Sequence, residues 1–75
     1  MTVHDLKIGQ RAIIKVINSD EKIKKRLLAL GCVEGTEIQV KKVAPLSDPI
    51  VVTFRGFDMA IRKNTAQKIQ VKTLI

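Results

Sequence analysis

The sequence predicts a mainly-β protein, a small antiparallel β-barrel with one short α-helix inserted between strands one and two. Three observations lead there. Five short segments rich in β-branched residues place apolar side chains at every second position, the period of a half-buried strand. Gly, Pro, Asn, Asp and Ser separate them at close intervals, and a compact barrel leaves such strands few free edges. Between the first two segments, from Asn18 to Gly31, the apolar spacing changes to that of a helix.

At 75 residues the chain has room for one domain, residues 1–75, built on a small core. Its 45% hydrophobic and 28% charged residues are the balance of a soluble globular protein, too rich in Ile, Val and Leu for a disordered one. Fourteen Lys and Arg against seven Asp and Glu leave a formal charge of +7, enough to attract polyanions or an acidic protein surface. The same charge could serve as a solubilising coat, since the basic residues are spread out and cluster tightly only at Lys24-Lys25-Arg26. The single cysteine, Cys32, cannot form an internal disulfide, and the chain shows neither a signal-peptide core nor an apolar run of bilayer length. A cytoplasmic setting is the expectation, with membrane contact only through a partner.

The elements follow in order. Met1 to Gln10 is a lead-in that could tuck Val3 and Leu6 under the domain, with Gly9 in a turn that calls for positive φ. Strand one is Arg11 to Ile17, with Ala12, Ile14 and Val16 on one face and Ile13, Lys15 and Ile17 on the other; both faces are largely apolar, as in a central strand. Asn18 as N-cap with Glu21 three residues on resembles a capping box, Ile23, Leu27 and Leu30 form one apolar stripe, Glu21 can pair with Lys25, and Gly31 ends the helix. Leu28 lies off that stripe by about 130°. In so small a domain it is expected to pack under a neighbouring loop; exposed, it would be a partner contact flanked by Lys24 and Arg26.

Strand two, Thr36 to Val43, alternates until Lys42 and Val43 break the period, which predicts a bulge near Lys41 if Val43 also points inward. Ala44 to Pro49 is a loop bracketed by Pro45 and Pro49. Ile50 to Arg55 is strand three, Gly56 the tight turn, and Phe57 to Arg62 strand four, with Phe57, Met59 and Ile61 on one face. Lys63 to Gln67 is one turn of 3₁₀ helix or loop, and Lys68 to Lys72 closes the sheet.

No catalytic constellation is visible, and the reading is non-enzymatic. His4 sits alone in a segment expected to be mobile, and no carboxylate-His pair stands ready to activate Ser19, Ser47 or Cys32. Cys32 follows a helix end, not a helix start, and is expected to be a small buried hydrophobe. One Cys and one His far apart make no metal site, Gly31 and Gly35 follow a helix where a phosphate-binding loop precedes one, and no cofactor is expected.

Arg26-Leu27-Leu28-Ala29-Leu30-Gly31-Cys32-Val33-Glu34-Gly35-Thr36, then Ala44-Pro45-Leu46-Ser47-Asp48-Pro49-Ile50, then Arg55-Gly56-Phe57 and Ala60-Ile61-Arg62, together resemble the FeoA family of ferrous iron transport proteins. Ser47 stands where that family usually has Gly, and Met59 where Leu is common. The resemblance implies an SH3-like barrel with a helical insertion, met as a small cytoplasmic protein beside the membrane transporter FeoB and as the C-terminal domain of some iron- and manganese-dependent repressors. No DNA-binding helices precede the barrel here, so the stand-alone transport accessory is the nearer likeness. The partner implied is the cytosolic portion of FeoB.

Candidate partner contacts are Lys24, Lys25, Arg26 and Leu28 on the helix and Pro45, Leu46, Asp48 and Pro49 in the loop. The alternative reading is a small basic β-barrel that binds nucleic acid. Two Phe, no Tyr and no Trp count against it, because single-strand binders of this build stack bases on aromatic rings, and no specific nucleic acid is expected. The same composition excludes a groove for proline-rich peptides.

Overall fold

A computed structural model describes residues 1–74. A 3₁₀ turn, Val3–Asp5, leads into strand β1, Arg11–Ile17; helix α1, Glu21–Ala29, follows, then β2, Glu37–Val43. A second 3₁₀ turn, Pro45–Ser47, joins it to β3, Ile50–Phe54, and β4, Phe57–Ile61; a single helical turn, α2, Lys63–Ala66, precedes β5, Ile69–Thr73. The five strands form one antiparallel sheet in the order β4-β3-β2-β1-β5, so β1 is interior as its two apolar faces require. The molecule measures 27 × 26 × 23 Å, far thicker than a flat sheet, because the strands wrap around their own core. This is the small barrel expected, but it is open: β4 and β5 share no ladder among the described residues.

Side chains of every strand meet inside. Ile14, Ile38, Val40, Val52 and Ile69 are essentially inaccessible, and Leu27 of the helix and Val3 of the lead-in join them. The lead-in, expected to be mobile, is tied to the sheet. Val3 and Leu6 are buried, Thr2 bridges Gln70, and the Val71 N–H donates to the Met1 carbonyl at 2.9 Å, so the chain start lies along the outer edge of β5. The Thr2 N–H donates to Asp5 at 2.8 Å, and that bond lowers the Asp5 pKa.

Two strands carry bulges. The one in β2 falls at Lys41, between Val40 and Lys42, where the broken alternation puts it. The other was not foreseen: the pairing of β1 with β5 shifts between Ile14 and Val16, which leaves Val16 exposed and buries Ile17. Expectation and structure therefore differ over Val16 and Ile17, because an inserted residue reverses the face of all that follow.

Helix α1 begins two residues later than expected. Asp20, not Asn18, is the N-cap, its carboxylate accepting the Ile23 N–H at 2.9 Å. The Glu21–Lys25 pair is not among the ion pairs of the described residues, which are Arg11–Glu37, Lys41–Asp58 and Arg62–Asp48. Arg55 and Gly56 have φ of 52° and 76°, the left-handed pair of a type I′ turn, whose twist suits a two-residue hairpin. Lys63 to Ala66 forms an α-helical turn where 3₁₀ or loop was expected.

Candidate functional site

The junction from α1 to β2 is fixed by backbone bonding. Leu30 ends the helix and Gly31 takes φ of 84°; the Gly31 N–H donates to the Leu28 carbonyl at 3.0 Å and the Cys32 N–H to that of Leu27 at 2.8 Å. This is the Schellman arrangement, and buried Leu27 and Cys32 supply its usual apolar contact. Thr36, which sequence reasoning passed over as an ordinary strand residue, is buried and closes the turn: its hydroxyl donates to the Gly31 carbonyl at 3.2 Å and accepts the Val33 N–H at 3.3 Å. The signal was a threonine just after a glycine turn, a common place for a hydroxyl to satisfy free backbone groups.

With Leu27 anchored in the core, helix geometry turns Leu28 outward. Leu28 is 64% exposed, which corrects the expectation that it packs under a loop. Leu30, expected on the buried stripe, is also exposed, and Ile23 is only half-buried. Leu28 stands beside a cleft of about 240 Å³ lined by Ile17, Cys32 and Val33, with Glu21, Glu34, Lys24 and Lys25 at its rim. Burial pushes the Cys32 thiol up to about 11, so this floor is chemically inert and apolar.

Not all of the expected contacts gather there. Arg26 faces the other way, into a groove of about 130 Å³ shared by Ile23 and Leu27 of the helix with Met59, Ala60, Ile61, Arg62 and Thr65. Pro45, Leu46, Asp48 and Pro49 line neither cleft. Leu46 is 92% exposed, and it and Ser47 have φ near 60°. Asp48 is engaged in the fold: its carboxylate accepts the Lys63 N–H at 3.1 Å and lies 4.0 Å from Arg62. A wider depression of about 430 Å³ runs from Gly35 and Glu37 to Thr53 and Arg55. Among the described residues no three His, Cys, Asp or Glu converge as metal ligands, and no helix is long and apolar enough to cross a membrane.

A model of the FeoA domain matches residues 1–73. The chain belongs to the FeoA family. That family is associated with ferrous iron transport. A protein of Porphyromonas gingivalis, described as a fusion of Fe(2+) transport protein A with the Fe(2+) transporter FeoB, is 31% identical over 74 residues, which is 99% of this chain and 9% of the fusion. The chain therefore spans under a tenth of that relative. The solution structure of FeoA from Chlorobium tepidum superposes with a TM-score of 0.96 at 36% identity, over 100% of this chain and 71% of that one. The crystal structure of Stenotrophomonas maltophilia FeoA, complexed with zinc and described as a prokaryotic SH3 domain protein, gives 0.83 at 25% identity, over 96% and 89%. The FeoA likeness thus accounts for an SH3-like barrel with one inserted helix.

Proposed function

We propose that this FeoA-family chain acts without catalysis as a cytoplasmic accessory of ferrous iron uptake, binding the cytosolic portion of FeoB through the Leu28 cleft. The observation that carries this reading is the Porphyromonas relative, in which a homologous segment is covalently joined to a FeoB transporter. Two segments fused in one protein are held at high effective concentration, and in separate chains a docking surface must do the same work. The cleft has the makings of such a surface. An exposed Leu stands over an apolar floor rimmed by Glu21, Glu34, Lys24 and Lys25, and neither lysine has an ion-pair partner among the described residues. Pro45, Leu46, Asp48 and Pro49 are a second, separate candidate contact, led by the fully presented Leu46.

The test is retention of purified protein on the cytosolic portion of FeoB from the same organism. Wild type is expected to bind, and Leu28→Asp to lose at least about tenfold in affinity, roughly 1.4 kcal/mol, while keeping its circular dichroism spectrum. Leu46→Asp, measured alongside, separates the loop from the cleft. Equal retention of Leu28→Asp and wild type removes Leu28 from the contact, and failure of the wild type removes FeoB as the partner. Sub-micromolar, sequence-dependent binding to an oligonucleotide would turn the assignment towards nucleic acid, whereas weak binding lost at moderate salt is charge attraction alone.

A further inference from the structure

We propose that the free edge of β4, with the groove between it and helix α1, binds an extended acidic peptide segment as a sixth strand. The two outer strands of the sheet are treated differently. The outer edge of β5 is covered by Met1 and Thr2. Among the described residues nothing pairs with the edge of β4, and Phe57–Ile61 contains no Pro, no Lys and no bulge; its one charge, Asp58, is held by Lys41 of β2 at 2.7 Å.

Its hydrogen-bonding groups can be assigned from the turn. In a two-residue hairpin the flanking residues, here Phe54 and Phe57, exchange both backbone bonds, so Phe57, Met59 and Ile61 spend theirs on β3. Asp58 and Ala60 then point N–H and C=O outward, and neither has a backbone partner among the described residues. Alternating donors and acceptors at strand spacing are satisfied by another peptide backbone and by no other common ligand.

The groove beside this edge selects what that backbone carries. Met59 and Ile61 form one wall, Ile23 and Leu27 the other, and the volume of about 130 Å³ suits one aliphatic side chain, well below the roughly 300 Å³ at which small-molecule sites begin. Two arginines line it. Arg62 stands at the Ile61 end and Arg26 on the helix; Arg26 has no carboxylate within salt-bridge distance among the described residues, and Arg62 has only the 4.0 Å contact with Asp48. An inserted strand whose groove-facing positions read acid, aliphatic, acid matches that arrangement. A second copy of this chain matches it poorly, since β4-to-β4 pairing would bring two surfaces of charge +7 edge to edge.

The surface is distinct from the Leu28 cleft, so either assignment can fail without the other. The probe is a blocked peptide, Glu-Thr-Val-Thr-Glu, titrated to millimolar concentration into ¹⁵N-labelled protein, with two controls: Lys in place of both Glu, and the original N-methylated at its three central residues. Amide exchange at Asp58 and Ala60 is expected to slow about tenfold at saturation with the first peptide and to stay unchanged with either control. Ala60→Pro removes one outward N–H at an edge that tolerates proline, and Arg26→Glu with Arg62→Glu reverses the flanking charge without touching the strand; each is expected to abolish the protection. Unchanged exchange at Asp58 and Ala60 overturns the proposal. Shifts scattered over the lysines and equal for the N-methylated peptide reduce it to charge attraction, and protection that appears with protein concentration alone assigns the edge to a second copy.

Discussion

Cys32 shows how position settles a residue's chemistry. With 2% of its surface exposed and its thiol raised to about 11, it holds roughly one thiolate per thousand at pH 8 and should resist alkylation until the protein unfolds. The ordinary value taken for an exposed thiol is 9.0, so the unfolded chain ionises first as pH rises. Stability from the neutral buried thiol is thus complete below about pH 9 and is lost towards pH 11. The destabilisation caused by Cys32→Ala, followed by urea unfolding, should be smaller at about pH 10.5 than at pH 7, by on the order of 1–2 kcal/mol. Gly31 is constrained in a different way. A Cβ there would sit 3.3 Å from Arg55 Cδ on a backbone of φ 84°. Gly31→Ala should cost about 1–2 kcal/mol, and adding Arg55→Ala should recover little of it, because the crowding side chain can move and the backbone cannot.

At the level of the element, α1 depends on its cap and on one anchor. Asp20→Ala should lower unfolding free energy by about 1 kcal/mol, and Asn18→Ala should stay within roughly 0.5 kcal/mol, a comparison that one denaturation series decides. Both residues are good N-caps by type, and only the position of the first helical turn distinguishes them, which is why the sequence pattern favoured the wrong one. The two bulges make a similar contrast. In β2, Lys42 and Val43 visibly break an alternation of Ile38 and Val40 with Glu37, Gln39 and Lys41; in β1, Ile13, Ile14, Val16 and Ile17 read as apolar on either register, so the slip at Lys15 leaves no trace. Leu28 was legible as lying off the apolar stripe, but its exposure depended on whether a loop crosses it. The division between Lys24, Lys25 and Leu28 on one cleft and Arg26 on another follows from where β4 lies beside the helix, and strand order is not written in local periodicity.

Across the whole molecule, a charge of +7 on so small a body acts at long range. The proposed association with the cytosolic portion of FeoB should slow as salt rises from about 0.1 M to 1 M, where the screening length falls from roughly 10 Å to 3 Å, with dissociation little changed. Leu28→Asp should do the reverse and act mainly on dissociation, and stopped-flow mixing can separate the two. The strand boundaries and buried faces were largely legible because each segment states its own period. What joins distant segments was not: neither the Met1 and Thr2 pairing along β5 nor the bare edge of β4 has a local signature. Those two edges, taken together, carry a consequence for polymerisation. With one edge bare, contact between sheets closes at a pair; with both bare, the β4 edge of each copy could join the β5 edge of the next without end, as in any head-to-tail contact that does not close. Met1 and Thr2, paired beside Gln70 and Val71, stand where the strand of a next copy would have to add.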